Sequence, residues 1–197
     1  MSEQHCGSVA GNGALQAQDT ALELFQIAAL MLGNEEESVS LVEEVLANVQ
    51  ADPCADAGAV ETEARPRLLE MALRRLAGLH PDAFAAPPLT DRAATCIDID
   101  DLTAAGLSGE QLDALIQGPE RPKMREWLEQ LAPALRAVFV LRAVVGQDGE
   151  RAAESLRRSG AAGAQGWQAD QVGTAYRQAL CSLASLLVNS KTAAALV

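Results

Sequence analysis

Apolar residues recur at helical spacing along most of this chain and alternate at strand spacing nowhere for long. Leu22, Phe25, Ala29 and Leu32 share one face of a helix that Asp19 or Thr20 can cap. Leu24, Ile27, Ala28 and Met31 widen that face, which predicts a largely buried helix. Gly33 suits its C-terminal stop. Asn34 followed by Glu37 is a start signal for a second helix to about Gln50, striped by Val39, Val42, Leu46 and Val49. ADPCADAGAVETEA, from Ala51, predicts a loop. Leu68 or Leu69, Ala72, Leu76 and Leu79 predict a third helix, roughly Arg65 to Leu79. The period is then lost over residues 80–108, where Pro, Ala, Thr and Asp mix. The alternation in CIDID, from Cys96, is too short to carry a sheet. Ser108 can cap a short helix over Glu110 to Gln117.

The period returns at Arg121. Met124, Trp127, Leu128 and Leu131 stripe one helix. Pro133 suits the first turn of the next, lined by Leu135, Val138, Phe139 and Arg142 and ending near Gly146. Glu150 to Arg158 predicts a short helix, SGAAGAQG a loop, and Ala169 to Val188 a last helix on Val172, Tyr176, Ala179, Leu180, Leu183 and Leu187. Two short helices joined at a glycine are a common way to aim a helix into a DNA groove. The expected fold class is therefore all-α, with two small helical domains, the C-terminal one a helix-turn-helix. The expected organisation is a flexible tail over 1–18, a helical domain over 19–80, a linker with a short helix over 81–120, and the helix-turn-helix domain over 121–190.

Composition sharpens this picture at three points. Aromatic residues are 3% of the chain while alanine and leucine abound, a palette that favours helices. The net charge of −12 is unevenly spread. Residues 1–120 hold 5 basic and 21 acidic side chains, whereas residues 121–197 hold 10 basic and 6 acidic. The C-terminal part can face phosphate, and the rest repels it. Cys6, Cys54, Cys96 and Cys181 form no close pair, so they predict free thiols and no zinc site. The glutamates Glu35–Glu37, Glu43 and Glu44 read as a solvated capping face. No Ser/His/Asp arrangement, phosphate-cradling glycine loop or HExxH motif occurs, so neither an enzyme nor a cofactor is expected. The N-terminus lacks a secretory signal and no apolar run is long enough for a membrane span, which together predict a cytoplasmic protein.

One stretch carries a family resemblance. LEQLAPALRAVFVLRAVVGQDGERAAESL resembles the opening of region 4 in bacterial sigma-70-family factors of the small two-domain, extracytoplasmic-function type. There a Leu-Pro precedes an apolar VFVLR helix, a glycine and a short helix. The matching pieces are Leu131, Pro133, Val138–Arg142, Gly146 and Glu150–Leu156. GWQADQVGTAYRQALCSL occupies the place of the family's recognition helix. LFQIAALMLGNEEESVSLVEEVLANV, from Leu24, is similar to the part of the family that docks on the large subunit of core RNA polymerase. RPRLLEMALRRLA, from Arg65, is similar to the helix that follows.

The resemblance implies transcription initiation. Core RNA polymerase would be bound through Leu41, Glu43, Glu44 and Leu46. Promoter DNA would be bound through Arg157, Arg158, Gln168, Gln171, Thr174, Arg177 and Gln178. An anti-sigma or other regulatory protein is a further implied partner. The chain also departs from the family. Its Lys-Ser-Arg at the recognition helix becomes Gly173, Thr174 and Ala175 here, which removes two cations from a phosphate-facing helix. No aromatic lies between Phe25 and Phe84 to stack on single-stranded bases. RRSGAAGAQ lengthens the turn between the last two helices. These departures open a second reading, a protein-binding regulator of sigma-like ancestry that no longer recognises promoter DNA.

Overall fold

A computed structural model describes residues 10–49, 57–87, 96–161 and 163–195, with side chains described from 18 to 188 inside those segments except 57–60. The protein is all-α, and no strand occurs among the described residues. It divides into two compact units, residues 1–72 and 73–197, between Ala72 and Leu73.

The first unit is built from α1 (Ala10–Leu32), α2 (Glu35–Asn48) and the start of α3 (Ala57–Leu79). α1 begins well before the expected Asp19 cap. Ala14, Leu15, Gln16 and Ala17 are good helix formers, and they carry the helix back through Gly13 and Gly11 into the stretch expected as a flexible tail. α2 begins where expected. The Asn34 side chain accepts from Glu37 N at 3.1 Å, and three glutamates fill the first turn, where the helix dipole favours anions. Its Ser38, Leu41, Val42 and Val45 are buried, while Glu43 and Glu44 face solvent. α3 starts eight residues before Arg65 and holds Pro66 inside it, so the helix runs on although Pro66 offers no N–H. Arg65 ties α3 to α1 through Glu23 and lies 3.2 Å from Glu61.

The second unit holds α4 (Gly109–Gln117), α5 (Arg121–Gln130), α6 (Pro133–Phe139), α7 (Gly149–Arg158) and α8 (Ala169–Ala195). Ser108 and Gln111 form a reciprocal capping box at α4. α6 runs on into a π-helical turn, Val140–Val144, and ends at Gly146, whose φ of 74° suits a residue without Cβ. Asp148 then caps α7 by accepting from Arg151 N at 2.8 Å. Trp127 and Phe139 meet edge to face at 4.9 Å in the core. Arg136 is buried and donates from Nε to Leu128 O and from Nη2 to Glu129 O, so it closes the C-terminal end of α5. Burial holds its pKa below the usual arginine value, and the charge of Glu129 acts the other way.

The segment expected as a linker contributes side chains to the core. Phe84, Ile97, Ala105, Leu107, Leu112 and Ile116 are all buried. Two pieces of it pack around the start of α8. The backbone carbonyl of Phe84 accepts from Trp167 Nε1 at 2.9 Å, and a 3₁₀ turn, Leu102–Ala105, lies on α8. The expectation of free thiols fails for two cysteines: Cys96 and Cys181 form a disulfide that joins this segment to α8. Spacing along the chain gave no sign of it, because 85 residues separate the pair. Cys6 and Cys54 lie outside the described residues.

Candidate nucleic-acid interface

The residues expected to meet DNA lie on the second half of α7, the connection after it and the first half of α8. The connection is longer than a simple turn because it is packed. Gly163 has φ 79°, and a Cβ added there would stand 3.1 Å from Ala85 Cα. Gly166 passes Ala86 in ordinary contact. The glycines of SGAAGAQG therefore let the 84–86 backbone lie against the connection. Trp167, fully buried, is the anchor between them.

The individual placements separate the candidates into two groups. Arg158 is exposed and pairs with Glu154 one turn back. Gln168 is exposed just ahead of α8, and Gln178 is half-buried. Arg157 instead donates to Trp167 O at 2.6 Å, which holds the connection to α7. Gln171 is partly buried, with an Oε1 that no donor reaches among the described residues. Thr174 is 2% and Arg177 6% exposed. Arg177 donates from Nη2 to Thr174 Oγ1 at 3.1 Å, and its Nε has no partner among the described residues. Neither side chain is presented to a groove while the unit keeps this conformation.

The cause is a cover. Every residue from Val172 to Arg177 is buried, so α8 is enclosed on all sides over nearly two turns. α6 and α7 pack against it, and the third neighbour is the strap from Cys96 to Ala105. Gly173 is the point of closest approach. A Cβ there would lie 3.4 Å from Asp100 Oδ2 and 3.4 Å from Arg177 Nη1. The absence of a Cβ at Gly173 thus makes room for a carboxylate.

Arg142 ties the strap down, and the sequence pattern, which marked it only as part of a helix face, missed this role. Its guanidinium lies 5.2 Å from the Tyr176 ring centre. Nη1 donates to Gln147 O at 3.0 Å. Nη2 donates to Asp100 O at 3.2 Å and approaches Asp100 Oδ2 at 3.4 Å. Asp100, Asp101, Arg142, Gln147, Asp148 and Tyr176 line a polar cleft of about 320 Å³. Hydrogen bonds from the Thr103 side chain and backbone hold the Asp101 carboxyl below its ordinary pKa. Burial pushes the Tyr176 phenol up to about 12. The cleft gathers one guanidinium and three aspartates, but among the described residues no three His, Cys, Asp or Glu side chains converge closely enough to hold a metal ion.

The expected polymerase-facing residues also divide. Leu41 is fully buried, a core position with no surface to offer, and Leu46 is half-buried. Glu43 and Glu44 are exposed. Beside them, Leu22, Phe25, Val39, Val42 and Glu43 line an open apolar groove of about 400 Å³ between α1 and α2, and Leu22 is 56% and Val39 45% exposed. The glutamates of α2 were visible in the sequence as two acidic clusters, Glu35–Glu37 and Glu43–Glu44. The groove needed α1 and α2 to be paired first.

No family model matches the chain, and no curated protein or solved structure matches it either. No helix among the described residues is long and apolar enough to cross a membrane.

Proposed function

We propose that this is a sigma-factor-like protein of transcription initiation, which docks on core RNA polymerase through the α1–α2 groove and carries a DNA-facing helix, α8, in a covered state. What supports the reading is the order of elements after Arg121: α5, α6, a left-handed glycine at 146, an Asp-capped α7 and a long α8, at the positions where the family resemblance expects its region 4. The groove supports the docking half of the reading, since exposed apolar side chains grouped beside acidic ones mark a protein-binding surface. The mechanism is recruitment and recognition, with no covalent chemistry and no cofactor.

The burial of Val172–Arg177 favours a second reading, a regulator that binds protein through the same groove and does not bind promoter DNA. Both readings use the first unit, so the first experiment is co-elution of the full chain with core RNA polymerase. Val39→Glu and Leu22→Glu are the variants, because both sites are exposed and tolerate the change. Co-elution that these variants abolish supports docking. Absence of co-elution at micromolar concentration overturns the polymerase reading and leaves the regulator. An anti-sigma-type partner would then be sought with the same two variants as the control.

A further inference from the structure

The first part of the strap, Cys96–Asp101, is fastened to α8 by one covalent link and few other contacts, whereas its Leu102–Ala105 turn packs on α8. Cys96, Asp98, Ile99, Asp100 and Asp101 are exposed, and between Cys96 and Leu102 only Ile97 is buried. Arg142 holds Asp100 by hydrogen bonds to its carbonyl and carboxylate. The disulfide therefore supplies the durable part of the attachment, and one of its sulfurs belongs to an exposed residue that a thiolate can approach. Beneath the strap lies Arg177, 6% exposed, bonded through Thr174 and with its Nε unpartnered among the described residues. A buried guanidinium so weakly satisfied is costly where it stands, and an anion outside the closed unit satisfies it better.

We propose that Cys96–Cys181 is a thiol–disulfide exchange site that locks the acidic strap over α8, and that its reduction opens α8 to a polyanionic partner, duplex DNA. The inference rests on the reading of α8 as a DNA-facing helix. Asp100 occupies the place of a phosphate: it bonds Arg142 and lies against Gly173 beside Arg177. The strap competes with DNA for the same cations.

The chemistry balances with a dithiol as reductant. One thiolate attacks Cys96 Sγ, the Sγ–Sγ bond breaks, and Cys181 leaves as a thiolate that takes up a proton. The second thiol of the reductant then attacks the mixed disulfide and releases Cys96 as a thiol. Two electrons and two protons pass to the protein, and the dithiol closes into its own disulfide. Once released, residues 96–101 retain the Asp100–Arg142 pair and buried Ile97, while the Leu102–Ala105 turn stays packed on α8 as the hinge about which that first part opens without loss of the helices.

The test uses the full chain, oxidised, reduced with dithiothreitol, and as Cys96→Ser, with alkylation and mass measurement to confirm each thiol state. Amide hydrogen exchange reads the strap and α8, and fluorescence anisotropy with a labelled random-sequence duplex at about 50 mM salt reads DNA binding. Reduction and Cys96→Ser are both expected to speed exchange over 96–101, with far-UV circular dichroism unchanged, and to raise DNA affinity by at least about tenfold in a salt-sensitive manner. Asp100→Asn in the reduced protein is expected to raise it further. Exchange that stays unchanged with both thiols alkylated overturns the lock. Equal DNA binding by the oxidised protein overturns the cover, and so does global unfolding on reduction. Opening of the strap without any gain in DNA binding upholds the exchange site and overturns the DNA-facing reading of α8.

Discussion

Helix α2 and the first half of α8 follow opposite rules of exposure. α2 buries Ser38, Leu41, Val42 and Val45 along one stripe and turns its glutamates to water, as an amphipathic helix against one layer does. α8 buries six residues in succession, among them a glycine, a threonine and an arginine. Packing on one side produces a stripe; packing on three sides produces a sheath. The third neighbour here is an acidic strap with little helical period of its own. Polar side chains inside a sheath then act as structural parts, whatever their residue type suggests.

If the sheath holds α8, its anchor must matter most. Trp167→Ala removes a fully buried ring and its hydrogen bond to Phe84 O, and is expected to cost about 3–5 kcal/mol in urea unfolding. A loss below about 1 kcal/mol would show the 84–86 segment to be loosely held. Tyr176, the chain's one tyrosine, tests the sheath by pH. Its pKa is raised to about 12, so the neutral phenol is the form the fold prefers. That stabilisation is complete below the ordinary value near 10 and is lost as pH rises through 12, by no more than about 3 kcal/mol. Wild type and Tyr176→Phe, unfolded at about pH 9 and about pH 11, should diverge only at the higher pH, and a phenol that ionises near 10 by absorbance would sink the idea.

Two smaller effects contrast a buried cation with a surface cap. Arg136→Met leaves the Leu128 and Glu129 carbonyls without their guanidinium donor and is expected to cost about 2 kcal/mol. A neutral outcome would class Arg136 with buried ions that apolar residues replace without loss. Asn34→Ala removes the cap of α2 and is expected to lower stability by about 1 kcal/mol, read by thermal unfolding. Glu43→Ala, on the exposed face of the same helix, should change it by less than about 0.5 kcal/mol.

The helices were readable from the chain because their cues are local. Asn34, Ser108 and Pro133 each mark a helix start that the structure repeats, but within α2 the stripe expected on Val39, Val42 and Leu46 falls instead on Ser38, Leu41, Val42 and Val45, and Val39 is exposed. The strap was not readable, because nothing local says that Cys96 meets Cys181 or that Asp100 lies against Gly173. Gly173 looked like the loss of a cation. Its meaning depends on a residue more than seventy positions earlier. Leu41 was expected to face a partner and was left out of the expected stripe, yet it is fully buried, because the packing of α2 within its own unit decides which face turns inward.

The disulfide also has a mechanical meaning. It closes a ring that contains α4, α5, α6 and α7, its two ends 85 positions apart along the sequence. Pulled at its termini, the oxidised molecule yields only the chain outside that ring, and its α4–α7 portion bears no load at any extension. Cutting the Cys96–Cys181 bond frees about 290 Å of contour, at roughly 3.4 Å for each residue.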